Sequence, residues 1–205
     1  MIKLNYVYRL PMGEGHKVGY QPINRALSGW QISGILNRQS GYPYSVCSGI
    51  GTFNRNNILG TNDCNTVNTT LNLGQLQNDM QFRMTGNGPY MVAASAIGTD
   101  GRAAVAGALT PFNGQIFTIP AAGTIGSLQQ RVFTGPWDTN LDFGLSKWTR
   151  VKENHEILLR MDSTNILNHP AFSIGDQTVT STTFGKITGT FNSRRAIQFT
   201  LQYRF

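Results

Sequence analysis

The feature that most constrains this chain is a strict two-residue alternation at its end. Ile197, Phe199, Leu201, Tyr203 and Phe205 share one parity, and Ala196, Gln198, Thr200, Gln202 and Arg204 share the other. Successive strand side chains point to opposite faces, so this segment is a strand with one apolar and one mostly polar face. A soluble sheet with its apolar face on a core shows the same pattern. Two details favour a membrane strand: an aromatic residue closes the run, and a second aromatic sits two positions earlier, where an interface girdle would lie.

The same reading repeats upstream. In 155–165, Ile157, Leu159 and Met161 oppose Glu156, Arg160 and Asp162, which are joined by Leu158. In 140–149, Leu141, Phe143 and Leu145 oppose Asp142, Gly144 and Ser146. In 28–39, Trp30, Ile32 and Leu36 share a face interrupted by Gly34; in 2–10, Leu4, Tyr6, Tyr8 and Leu10 alternate with Lys3, Asn5, Val7 and Arg9. Five strands are therefore expected, at about 2–10, 28–39, 140–149, 155–165 and 195–205. Each is near the roughly 9–11 residues that a tilted membrane strand needs. The polar link 149–154 makes a tight antiparallel hairpin. The link 11–27 opens Pro11-Met12-Gly13-Glu14-Gly15, which breaks any regular element; helix, if any, is expected to be confined to the loop near 75–110. There, 91–109 reads equally as a small helix or a hairpin.

Connection lengths alternate: short, very long, short, long. Barrels of the outer membrane pair short periplasmic turns with long external loops. On that rule 40–139 and 166–194 are extracellular loops, and the lipid-facing set is Ile157, Leu159, Met161, Leu141, Phe143 and Leu145 together with the apolar parity of the last strand. Composition agrees. Only 13% of residues are charged, about half the usual share, and uncharged polar residues suit strands and turns. The net charge of +7 is spread over arginines from Arg9 to Arg204, not gathered in the patch a nucleic-acid binder shows, so no nucleic-acid partner is expected. A basic surface facing phosphorylated lipid accounts for the same excess. No run of about 18 apolar residues marks a transmembrane helix. The N-terminus has no signal-peptide character, which is expected of a chain that has lost its front end.

Several stretches resemble a known family. Leu27-Ser28-Gly29-Trp30-Gln31-Ile32-Ser33-Gly34-Ile35 with Gln39-Ser40-Gly41-Tyr42-Pro43-Tyr44 is similar to the late-barrel segment of Oar-like TonB-dependent receptors. So are Phe133-Thr134-Gly135-Pro136-Trp137-Asp138-Thr139-Asn140-Leu141-Asp142-Phe143 and Asp162-Ser163-Thr164-Asn165-Ile166-Leu167-Asn168-His169-Pro170-Ala171-Phe172. Phe184-Gly185-Lys186-Ile187-Thr188 and the closing strand complete the order. The resemblance covers nearly the whole chain. It implies an all-β antiparallel meander forming the last five or so strands of a barrel of about 22, in the bacterial cell outer membrane, without the plug and the TonB-contacting segment. It implies active uptake of a ligand, with TonB engaged only through the missing N-terminal part, and outer-membrane lipid and the barrel-assembly machinery as partners. Phe199, Leu201, Tyr203 and Phe205 would form the C-terminal assembly signal. The alternative is a secreted or surface all-β binding or adhesin module.

Candidate sites are sparse. Cys47 and Cys64 fall in the long loop, with sixteen residues between them. An outer-surface loop is oxidising territory, so a disulfide is expected in preference to two free thiols. His16, His155 and His169 lack zinc-ligand spacing. Gly13 to Gly19 has the wrong glycine spacing for a phosphate loop. Asp138, Asp142, Glu153, Glu156 and Asp162 read as lumen or turn charges, not as a catalytic carboxylate pair. No cofactor, metal or enzymatic activity is expected. The tract Asn56, Asn57, Asn62, Asn65 and Asn68 is either a recognition loop or a solvated one.

Overall fold

The computed structural model describes residues 1–11, 21–52, 64–105, 111–152, 154–192 and 194–205. Its elements, in chain order, are β1 (Ile2–Arg9), α1 (Gln21–Leu27), β2 (Trp30–Gln39), β3 (Pro43–Tyr44), β4 (Asn68–Thr69), α2 (Leu73–Asp79), β5 (Arg83–Thr85), β6 (Gly88–Tyr90), a 3-10 turn (Ala94–Ala96), β7 (Phe117–Thr118), β8 (Phe133–Thr134), β9 (Asp138–Lys152), β10 (His155–Thr164) and β11 (Ala196–Arg204). They form two compact units. One contains Met1–Gln39, Asp138–Ala171 and Phe191–Phe205; the other contains Ser40–Trp137 and Phe172–Thr190.

The first unit is a five-stranded sheet in the order β1-β2-β9-β10-β11, with every pairing antiparallel. This is the meander that the alternation demands. β9 runs three residues past the expected end, to Lys152, and a register shift at His155/Glu156 absorbs the extra residue in the hairpin. A bulge of this kind leaves one residue unpaired and lets the ladder continue to the turn. Both long excursions leave the sheet at one end, from Gln39 to Asp138 and from Thr164 to Ala196, while the β1–β2 and β9–β10 links lie at the other.

α1 corrects the expectation that helix is confined to 75–110. It fills the second half of the β1–β2 link and ends at Gly29, whose φ of +77° reverses the chain. A Cβ at Gly29 would collide with the Trp148 carbonyl, so glycine is needed for both reasons. Seven residues are too few to hold a helix alone. Its last carbonyls are tied instead by side chains from the sheet: the Trp30 indole Nε1 donates to Ala26 O at 2.9 Å, and the Lys147 ammonium donates to Ala26 O and, at 3.2 Å, to Ser28 O.

The second unit corrects the picture of 40–139 and 166–194 as two loops. Residues from both share one core, in which Val46, Val67, Phe117, Val179 and Phe184 are fully buried. Its strands are two or three residues long and pair as β3–β8, β4–β7 and β5–β6. α2 has a capping box, with Asn72 Oδ1 accepting from Gln75 N and Gln75 Oε1 accepting from Asn72 N. That satisfies two otherwise orphaned donors and turns Leu76 into the core. Residues 91–105 are neither a true helix nor a hairpin; they hold only the 3-10 turn, and 106–109 lie outside the described residues.

Candidate functional site

The register of the sheet places every residue of the expected lipid-facing set on one face. Tyr203 lies opposite Ile157, Leu201 opposite Leu159, and Phe199 opposite Met161. Met161 lies opposite Leu145, and Leu145 opposite Ile32. Phe143 pairs with Gly34, Leu141 with Leu36, and Leu36 with Leu4. Directly opposed residues share a face, so one apolar surface crosses all five strands. It is open toward β11: Leu201 is 70% exposed and Phe199 77%. A contiguous apolar patch of this extent marks a membrane or partner surface. Phe205 lies one residue past β11, and its ring centroid is 6.0 Å from that of Tyr203.

The opposite face is polar. It carries Gln198, Thr200, Gln202 and Arg204, opposed by Asp162, Arg160, Leu158 and Glu156. Leu158 is buried there beside Trp148, and Arg204 stacks on the Trp148 ring at 4.9 Å. Arg160 pairs with Asp162 at 2.7 Å and Arg150 with Glu156 at 3.6 Å. Toward the excursion end, Asp142 Oδ1 accepts from Asn140 Nδ2 at 3.0 Å and from the Asn165 backbone at 2.9 Å, and Gln39 Nε2 donates to Asp138 Oδ2. Each of these carboxylates accepts from, or pairs with, a neighbouring donor. Glu153 lies outside the described residues. Among the described residues no three metal-ligating side chains come together.

The two described histidines have separate partners. His155 Nδ1 meets the Tyr203 hydroxyl at 2.6 Å with the rings stacked, and the backbone of His169 is bracketed by the Asn165 side chain. His16, the Gly13–Gly19 stretch and Asn56, Asn57 and Asn62 lie outside the described residues. Asn65 and Asn68 serve the second unit internally: Asn65 Nδ2 donates to Thr52 Oγ1, and Asn68 Oδ1 accepts from Ser127 N.

Cys47 and Cys64 are joined by a disulfide, with Cα atoms 4.9 Å apart. Cys47 is also where the two excursions meet. Its N–H donates to Gln177 O and its carbonyl accepts from Val179 N, both at 2.9 Å, while it bridges Thr66 on the other side. Asp176 lies nearby in sequence. Its carboxylate accepts from Thr178 N at 3.0 Å and from Thr183 Oγ1 at 2.8 Å. Burial pushes its pKa up, but these bonds and one from Ser181 outweigh it and hold the group below the usual carboxylate value.

Sequence reasoning passed over two features. One is Lys147, which continues the apolar parity of Leu141, Phe143 and Leu145 and breaks it with a charge. That break was the available signal. The other is the second unit's core, whose apolar residues have no period to betray them.

Neither the curated proteins nor the solved structures contain a match to this chain. A family model described as an outer membrane beta barrel domain matches residues 1–198. With one apolar face running across five antiparallel strands and a polar face behind it, the chain belongs to the outer membrane beta barrel domain family and resides in the bacterial outer membrane.

Proposed function

We propose that this chain is the C-terminal part of a TonB-dependent receptor that mediates active uptake of a ligand across the outer membrane. The observation that carries the reading is the second unit. Two excursions from one end of the sheet share a core, and the first carries a disulfide-closed segment. A folded unit carried by a rigid strand scaffold is what ligand recognition requires. The ordered likeness to late-barrel segments of Oar-like receptors supports the same assignment. So does the strand count. Because five antiparallel strands are odd in number, the edges β1 and β11 run in the same direction. Antiparallel closure then takes an odd number of further strands, and a passage needs many more than five.

The proposal assigns the chain no catalysis. Its partners are outer-membrane lipid, the barrel-assembly machinery reading Phe199, Leu201, Tyr203 and Phe205, and TonB through other parts of the receptor. The test is solute depletion from a defined medium by wild-type cells, cells lacking this gene and cells lacking TonB. The expected result is a solute left behind by both mutants. If loss of the gene alters no TonB-dependent uptake but abolishes adherence of cells to a surface or host glycan, the second reading, a surface adhesin built on the same unit, replaces it.

A further inference from the structure

α1 exposes an entirely apolar face. Ile23 and Leu27 are separated by one helical turn and lie on one side, with Ala26 between them; all three are exposed, Ile23 at 44% and Leu27 at 37%. Residues four apart are neighbours on a helix surface, so this is a patch and not two accidents. A link between strands that met only water would gain nothing from it.

Lys147 settles which side of the sheet this helix occupies. It pairs with Leu159 on one flank and Trp30 on the other, so its side chain leaves from the lipid-facing surface. A cation there is costly unless it is satisfied or reaches the interface. Here its ammonium donates to Ala26 O and Ser28 O and lies 4.9 Å over the Trp30 ring, while the Trp30 indole donates to Ala26 O. Both side chains project from the apolar face, so the C-terminal end of α1 is held on that face, at the turn end of the sheet. The favourable helix-end and cation–π terms explain how the charge is tolerated.

We propose that α1 is an interfacial helix. Its Ile23–Ala26–Leu27 face enters the polar–apolar boundary of the bilayer at the turn end of the strands, and Lys147 is the positioning residue that docks it there. The occupant of the exposed face is lipid. The helix is continuous with the lipid-facing surface through Trp30 and Lys147, it has no acidic residue to repel lipid phosphates, and Trp30 sits where indoles settle in membranes, with an apolar body and a bonded N–H. A short helix with an apolar face on one side fits a membrane boundary better than bulk water.

The experiment uses the full-length protein in phospholipid bilayers. Nitroxide labels are placed on Ile23→Cys and Leu27→Cys, the native cysteines being protected by their disulfide. Leu201→Cys and Gln202→Cys serve as lipid and lumen references. Accessibility is read with oxygen and with a water-soluble nickel chelate. Labels at 23 and 27 should favour oxygen, approaching the Leu201 reference. Values matching Gln202 would overturn the interfacial assignment. Lys147→Met, which suits the lipid face, should leave heat-modifiable barrel intact but raise nickel access at position 27 severalfold, and Lys147→Arg should restore it. No change at 27 in Lys147→Met would refute the docking role. Should Lys147→Met fail to insert, Trp30→Phe, which removes only the indole donor, decides the same point by the same readout.

Discussion

Leu201 of β11 lies directly opposite Leu159 of β10, and both side chains are exposed on the same face of the sheet. The neighbouring pair, Gln202 opposite Leu158, is on the other face. Water cannot be what the first face meets in a barrel, so a charge should be tolerated on one parity and not on the other. Leu201→Arg is expected to cost about 2–4 kcal/mol near the bilayer midplane, while Gln202→Arg leaves insertion nearly unchanged. Phe199→Arg should behave like Leu201→Arg, and Gln198→Arg like Gln202→Arg. Heat-modifiable, membrane-inserted protein measures all four, and equal losses on both parities would sink the assignment of faces.

The five long strands are legible in the sequence because a half-buried strand writes its two environments directly into residue parity. Ile157, Leu159 and Met161 need no partner to be identified; the register only confirms that Tyr203, Leu201 and Phe199 stand beside them. α1 is not legible for the opposite reason. Pro11, Gly13 and Gly15 read in the sequence as breakers of regular structure, and what holds its end are the Trp30 indole and the Lys147 ammonium, the latter 119 residues away from Ser28. The second unit is hidden because its strands are two or three residues long, too short to show a period. Its core joins Val46 and Phe117 to Val179 and Phe184, which local pattern cannot connect. The pairing of Cys47 with Cys64 was within reach because only two cysteines exist and both fall in one loop.

The disulfide should matter beyond the segment it closes. A closed loop of this size is worth about 3 kcal/mol by the chain-entropy model. Cys47 also holds Gln177 and Val179 through its backbone. Cys47→Ala with Cys64→Ala is therefore expected to lower hydrogen-exchange protection at the Val179 amide as well as near residue 66. Protection lost only between 47 and 66 would show that the second excursion is held independently.

Acid should loosen the second unit partly through Asp176. Its folded pKa lies below the ordinary value because the bonds from Ser181, Thr178 and Thr183 outweigh burial. A depressed carboxylate contributes stability that is present above its unfolded pKa, about 3.9, and is lost as pH falls through the lower folded value. Asp176→Asn is thus expected to be less stable than wild type at neutral pH and to approach it as pH falls below about 4. Thermal unfolding midpoints across that range provide the check, and a constant gap between the two proteins would remove Asp176 from the acid response.

The core of the second unit depends on both excursions at one contact. Phe117, from the first, and Phe184, from the second, are fully buried with ring centroids 6.0 Å apart and planes at 77°. That edge-to-face arrangement adds to the area each ring buries. Phe184→Ala removes the ring from a site walled by residues of both excursions, so neither can close the cavity alone, and the expected cost is about 3–5 kcal/mol. Phe184→Leu should lose less, because it keeps most of the apolar volume. The five-stranded sheet contributes none of these rings, so insertion should survive the change. The measurement pairs two readouts on the same membranes: heat-modifiability for the strands, and protease cleavage within 40–137 for the second unit. Phe184→Ala should leave the first unchanged and speed the second at least tenfold. Cleavage confined to 172–190 would mean that the first excursion folds without the second, and the shared core would lose its meaning.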